Sequence, residues 1–532
     1  MSIKRHISES IGRGGELVLL PYLSEVQNPS KKYSVMFRGL NYGDNPQDGE
    51  FAETYNLSTD QYPCITQRAE RVLVKEYEEP TTIHAKGKLL VIDGESVLYD
   101  GKEVGKVTEG KKQTATIGNY IVIFPDKKYY KVPTEEEPEG KFADMEITFE
   151  DKDLVFTEST ITISSKSDKV FEFEKGDAVK IEGCSKNENN QEPIIRKISA
   201  SKKELTFDGT AFTAGTETGT VTLTRVVPPL DFVCESNYRL WGTHGNTIYS
   251  SKWSDPLNFS SFEGLSGDSY NIDVGSEGEF TGCTPYSSHI CFFKENTLHK
   301  LYGTKPSNFQ ITTVDVFGVQ SGSERSIQKV NEQLIYKGVG GVYSYTGGVP
   351  ELISEKFGNR RYSDAVACCD GEKYYISMRQ GEDWHIFAYD VMKGVWLRED
   401  DTHAVDMVFH EGKVYYLDSK GGLYYIDKTA DRDGIEWGAT FCTLHETINE
   451  RKGYSKFHLR MDLSAGAWLA VDIKTDNDLQ WQQVYTTHNE KAKTVSIPIM
   501  PTRCDSIDIR LRGKGKCTIK TFIREFTVGS DV

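Results

Sequence analysis

The sequence predicts an all-β protein: a β-propeller of about seven blades, with an inserted small β-barrel and a C-terminal β-sandwich. Two observations predict it. The 532 residues include 28 Tyr, 25 Phe and 47 Gly, with aromatic and β-branched residues alternating between Gly, Asn and Asp turns. That composition suits pleated, half-buried strands. In addition, a hairpin recurs at intervals of roughly 40 residues, the sequence mark of propeller blades. Helical periodicity over a dozen residues is almost absent.

Taken in chain order, residues 1–70 read as an extended N-terminal arm without a core of its own, punctuated by Gly, Pro and Asn, its apolar run Leu17–Leu23 broken by Pro21. Such an arm is expected to lie against another domain or to order only on a neighbouring subunit. The propeller is assigned to 71–133 and 227–433. Its hairpins begin with Lys88–Ile92 turning at Asp93-Gly94 into Val97–Tyr99, and Tyr120–Phe124 turning at Pro125-Asp126 into Tyr129-Tyr130. They continue with Tyr238–Gly242 and Thr247–Tyr249, His289–Phe293 and Thr297–His299, and Gln333–Tyr336 and Val342–Tyr345. The last two are Lys373–Ser377 with His385–Asp390, and Lys413–Leu417 with Leu423–Ile426. The competing arrangement is the same hairpins dispersed through a sandwich.

The repeat breaks over 134–226. Glu135, Glu136, Glu137 and Glu139 open the break, and short strands follow at Phe171–Phe173, Ala178–Ile181, Ile194–Ile198 and Leu205–Phe207. This stretch is read as a small barrel inserted into one blade, since exposed loops tolerate such insertions. Residues 434–532 change pattern again. Phe457, Leu459, Met461 and Leu463 alternate strictly with polar residues, as do Ile507, Ile509 and Leu511, which predicts a sandwich.

Composition narrows the function. With 63 Lys and Arg against 79 Asp and Glu, the net charge of -16 argues against wrapping nucleic acid through its phosphates. It is compatible with a surface that DNA slides past. No apolar run approaches the ~20 residues of a membrane-spanning helix, so no membrane insertion is expected. The 10 cysteines show no CxxC and no regular spacing, as expected for reduced thiols in a protein made in a cytosol.

No site residue is assigned: catalytic none, cofactor-binding none, metal none. The sequence has no GxSxG elbow, no HExxH and no sialidase-type Asp box in the blade turns, and paired carboxylates cannot be picked out among 79. Asp431-Arg432-Asp433-Gly434 is half of a calcium-loop pattern, but its first and twelfth positions would be Thr429 and Thr440, neither a carboxylate. It reads as a turn. Gly12-Arg13-Gly14-Gly15 is not GxGxxG, and Gly513-Lys514-Gly515-Lys516 reads as a hairpin turn; neither is a phosphate cradle. His385, between Trp384 and Ile386, reads as a packed or surface side chain. Arg503, Arg510, Arg512, Lys514 and Lys516 form the densest basic patch, either a solvated strand face or a partner for acidic groups.

Three blocks carry a resemblance. The ordered set Asn237–Gly242, Gly245–Lys252 and Asp255–Phe259 resembles a recurrent motif of bacteriophage tail proteins, and is similar to the propeller of the tail nozzle (tail tubular or stabilisation) proteins of short-tailed phages. Asn56–Arg68, with Tyr62-Pro63 and Gln67-Arg68, resembles the opening of that family. Lys452–Lys456 through Arg503-Cys504-Asp505 and Gly513 resembles the end of related virion proteins. The inserted barrel is no part of the family's common core.

The resemblance implies a structural virion protein of a phage tail, synthesised in the host bacterial cytoplasm. It would self-associate in a ring, expected to be a hexamer, around the DNA exit channel. It would dock portal or adaptor and other tail proteins and contact fibres, with DNA only as passing cargo. The function expected is assembly without catalysis or a cofactor. The alternatives are a tail-tip receptor- or glycan-binding propeller and a polysaccharide depolymerase.

Overall fold

A computed structural model describes residues 29–528, apart from 165–166, 210, 431–433, 444–450, 477, 492 and 501–502. Among these residues strands dominate, and the helical elements are four single 3₁₀ turns. Seven four-stranded antiparallel sheets make the blades. Each of the seven hairpins read from the sequence forms the two middle strands of one blade, in order from Lys88–Asp93 with Ser96–Tyr99 to Lys413–Asp418 with Gly422–Asp427. Middle strands are apolar because neighbouring blades cover both their faces; His289–Phe293 is buried at every position. Fourth strands that face water are polar, as in Gln310–Asp315, whereas that of the sixth blade, Val395–Asp400, is buried and carries Val395, Trp396 and Leu397.

The first strands of the blades surround the axis, and that of the seventh blade (Ala404–His410) lies beside that of the first (Pro80–Lys86), closing the ring. The seventh blade takes its outer strand, Glu70–Glu76, from before the first blade; it pairs antiparallel with Gly422–Asp427. Arg71 on that strand binds Glu399 at 2.8 Å and Asp400 at 2.6 Å in the sixth blade. Burial would raise the Asp400 carboxyl, but Arg71 and Arg68 beside it hold it below the usual range.

The C-terminal part is a two-sheet sandwich, and the arm belongs to it. One sheet runs Gly39–Leu40, Glu50–Tyr55, Glu436–Phe441, Ile507–Lys514, Trp468–Thr475, Gln482–Thr487. The other holds Leu57–Ser58, Ile65–Gln67, Cys517–Val528, Lys452–Leu463 and Thr494–Pro498, with Ser30–Ser34 on the Cys517–Val528 strand. Of the two expectations for the arm, residues 30–67 follow the first: they lie against another domain of this chain and complete its sandwich, which corrects the expectation that they order only on a neighbouring subunit. Phe37, Leu40, Phe51, Leu57 and Ile65 are too scattered to build a core alone, yet each is buried between the sheets. The Phe51 ring lies 5.8 Å from Phe37 and 4.9 Å from Phe441.

The sandwich shares a continuous core with the fifth and sixth blades through Val342, Phe357, Phe387 and Trp396. Contact is close enough to require glycine at Gly39: its φ is +79°, and a Cβ there would lie 2.4 Å from the Trp396 carbonyl.

The insertion begins later than expected and lies between blades. Lys141–Asp144 is the outer strand of the second blade, so the Glu135–Glu139 stretch is that blade's last turn. Its polar sequence hid it. The barrel starts at Ile147–Asp151, ends at Val221–Arg225, and comprises a three-stranded and a five-stranded sheet around its own core. Phe171 and Phe173 are buried in that core, on extended chain rather than the expected strand.

Candidate interaction surface

The segment Asn237–Phe259 spans the third blade's central hairpin and the loop beyond it. Asn237 and Tyr238 take φ of +53° and +60°. A left-handed backbone is uncommon for a bulky residue and here turns the Tyr238 ring outward, 68% exposed. Trp253, 54% exposed, meets it edge-to-face at 6.2 Å.

Arg239 sets this display. It is buried, and its guanidinium donates to the carbonyls of Ser251 (2.7 Å), Asp268 (2.6 Å) and Ser266 (2.9 Å), drawing the loop that carries Trp253 back onto the blade. Trp241 points the other way, into the core against Phe309 and Phe292. Gly242 follows because a Cβ there would come within 2.6 Å of Leu230 and the Phe232 carbonyl.

The second half of the segment seats the barrel. Asp177, wholly buried at the barrel's edge, accepts from Asn258 Nδ2 (2.7 Å) and the Glu174 backbone N–H (2.9 Å), and pairs with Arg225 at 3.4 Å. The Ala178 N–H donates to the Ser260 carbonyl at 2.7 Å, and the Phe262 N–H to the Gly176 carbonyl at 2.9 Å. Lys252 reaches Glu174 at 2.8 Å and, by that bond, holds the Glu174 carboxyl below its ordinary range. Sequence reasoning missed this seat because Asp177 and Asn258 are 81 residues apart.

At the propeller axis, Arg325 stands on the 3₁₀ turn Glu324–Ser326 that leads into the fifth blade. Its guanidinium donates to the Thr81 carbonyl (2.9 Å), Thr82 Oγ1 (3.1 Å) and the carbonyls of Lys112 (2.9 Å) and Val405 (3.3 Å), and pairs with Asp406 at 3.0 Å. It therefore links the fifth blade to the first, second and seventh across the axis. Burial raises the Asp406 carboxyl, with Arg325 opposing. No local signal marked Arg325.

The residues weighed from sequence fall into structural roles. Arg510 and Arg512 both clamp the buried Asp472 on the neighbouring strand, at 2.8 and 2.7 Å, so the acidic neighbour of the basic patch lies in the same sheet. Gly515 and Lys516 turn between Ile507–Lys514 and Cys517–Val528. His385 Nδ1 lies 2.8 Å from Asp401, which Arg398 also binds. All ten cysteines are free. Asp431–Asp433 and Gly12–Gly15 lie outside the described residues. Among the described residues no group of three His, Cys, Asp or Glu could hold a metal, and no helix is long and apolar enough to cross a membrane.

No family model matches the chain, and no curated protein matches it. Solved structures that align with it include BamB from Moraxella catarrhalis (9% identity, 69% of this chain and 98% of that one, TM-score 0.34). The computationally designed Ika8 protein aligns at 10% identity over 67% of this chain and 99% of its own, TM-score 0.31. An exo-beta-1,3-galactanase from Phanerochaete chrysosporium aligns at 9% identity over 55% and 94%, TM-score 0.22. At these scores the alignments add nothing to the assignment of blades, which rests on the chain's own sheet topology. The chain is an all-β, seven-bladed propeller protein.

Proposed function

We propose that this protein is a structural component of a bacteriophage tail, a nozzle, tail-tube or neck ring subunit that works by assembly and not by catalysis. The reading rests on the ordered resemblance of Asn237–Phe259 to tail nozzle propellers. The observation that supports it is the use of this segment: it presents the Tyr238–Trp253 pair to solvent on a base fixed by Arg239, and it anchors the barrel through Asn258. Exposed aromatics on a rigid frame are the usual anchors of protein interfaces. With Arg325 spanning the propeller axis, a DNA passage would form between subunits in a ring, and the net charge of -16 would keep its wall from trapping phosphate. The partners would be further copies of the chain, expected as six, together with portal or adaptor and other tail proteins.

Native mass spectrometry of the chain, alone and with candidate portal or adaptor proteins, tests this. A ring, or a six-fold stack with the partner, is expected. Y238A/W253A should stay folded and lose that assembly. A monomer that ignores every head and tail component would overturn the reading. The same aromatic pair favours one rival, a glycan-binding tail-tip module, because sugars stack on exposed rings. Glycan-array binding that Y238A/W253A abolishes would establish it instead.

A further inference from the structure

A second feature lies away from the third blade, where the fifth blade meets the connection into the sixth. A cavity of about 250 Å³ is lined by Lys337, Gly341, Glu355, Arg360, Arg361 and Tyr362, among others. Lys337 is 1% exposed, and among the described residues no carboxylate pairs with it. Its ammonium donates to Gln320 Oε1 at 2.7 Å and to the Gly338 carbonyl at 2.5 Å, both neutral acceptors, leaving one of its three protons without an acceptor among the described residues. Arg360 and Arg361 are exposed at the same cavity and form no ion pair with described residues; Arg360 lies over the Tyr42 ring at 3.4 Å. Tyr362, 5% exposed, has a hydroxyl beside Arg360 that makes no hydrogen bond of ordinary geometry.

Three cations therefore face one carboxylate, Glu355, in a chain whose net charge is -16. A buried ammonium with only neutral partners is costly unless a counter-charge reaches it. Burial, with Arg361 adding to it, brings Lys337 down to about 8.

We propose that this cavity binds a small oxyanion of the phosphate class, with the Lys337 ammonium at its base, Arg360 and Arg361 as the charged rim, and the Tyr362 hydroxyl as a further donor. Guanidinium forks suit such an anion. The site is independent of the aromatic pair on the third blade, so it can fail without touching the proposed assembly role.

Calorimetric titration of the full chain with inorganic phosphate tests it, with sodium chloride at matched ionic strength as the control. Saturable binding to phosphate and none to chloride is expected. R360Q/R361Q removes two exposed charges and the contact of Arg360 with the Tyr42 ring, so the thermal midpoint measured without phosphate should fall only slightly while binding weakens at least tenfold. K337M should abolish binding where it folds. A short oligonucleotide titrated in parallel separates sources: competition with phosphate would place a nucleic-acid phosphate in the cavity, and none would leave the free anion as ligand. No saturable binding at millimolar phosphate, or full affinity in R360Q/R361Q, would overturn the proposal.

Discussion

The propeller carries two additions, and they are attached by opposite physics. The sandwich is fused to the fifth and sixth blades by a shared apolar core, in which Phe51 of one touches the same cluster as Trp396 of the other. The barrel keeps a core of its own and meets the third blade through polar groups, with Asp177, Asn258 and Arg225 at the centre. An apolar junction spreads its stabilisation over many contacts and cannot be opened without exposing them. A polar junction concentrates it in a few directional bonds. The sandwich and propeller should therefore unfold together, and the barrel should behave as a separable module.

The largest effect should come from the shared core. Phe51→Ala removes a fully buried ring that packs on both Phe37 and Phe441, and the expected loss is about 3–5 kcal/mol. In urea denaturation followed by both tryptophan fluorescence and far-UV circular dichroism, the two transitions should shift together. A variant that melts the sandwich while the propeller transition stays put would break the claim of a common core. Asp177→Ala comes next. It leaves Arg225 buried without its carboxylate, at an expected cost of about 3 kcal/mol to docking of the barrel. Hydrogen exchange should rise at 174–178 and 258–262 and remain unchanged in the first and sixth blades. Exchange rising in every blade would mean that the barrel is not separable.

The same contrast explains how much could be read in the sequence. The central hairpins were legible because burial on both faces demands continuous apolar runs, such as Tyr120–Phe124 and His289–Phe293. The outer strands were not: Lys141–Asp144 and Glu351–Leu352 carry few apolar residues, since solvent covers one side. The arm misled for another reason. Strands of two to six residues at Gly39–Leu40, Glu50–Tyr55, Leu57–Ser58 and Ile65–Gln67 have no pattern of their own; they pair locally two by two, and only Glu50–Tyr55 and Ile65–Gln67 reach the sandwich, through partners hundreds of residues away at Glu436–Phe441 and Cys517–Val528. The polar seat of the barrel and the Arg325 link across the axis are likewise set by tertiary contact alone. In the interaction surface, the Trp-Gly hairpin was visible as a motif, but nothing in it distinguished Trp241, which is core, from Trp253, which is displayed.

Acid should separate the two cores further. His84, between Thr114 and Thr116 of the second blade, and His299, between Ser276 and Thr313, are each brought down to about 4 by burial, with nearby lysines adding to it. The unfolded chain, titrating near 6.5, binds those protons more readily than the folded one, so the stabilisation is complete above that value and is lost as pH falls through 6.5 towards 4. Between pH 7 and 5.5 each site should cost the propeller about 1 kcal/mol. Residues 147–225 contain no histidine, so the barrel has no matching loss. Thermal melts at the two pH values should lower the joint transition of propeller and sandwich and leave that of the barrel in place, and H84Q/H299Q should flatten the pH dependence of the joint transition over this range. An unchanged slope in that variant would assign the acid sensitivity to other groups, among them His289 and His403, which burial also lowers.

Lys252→Ala should have the smallest effect and sharpens the account of the barrel's seat. The lysine pairs with Glu174, whose side chain is 61% exposed, and water competes for both partners, so the expected cost is below about 1 kcal/mol and should shrink further in high salt. Asp177 accepts its bonds from Asn258 and Arg225 out of reach of water, and the effect of its loss should be nearly independent of salt. Exchange protection of 174–178, measured at low and high salt for the two variants, tests that difference. Lys252→Ala releasing the barrel as fully as Asp177→Ala would mean that attraction at the rim, and not the buried carboxylate, holds the barrel to the third blade.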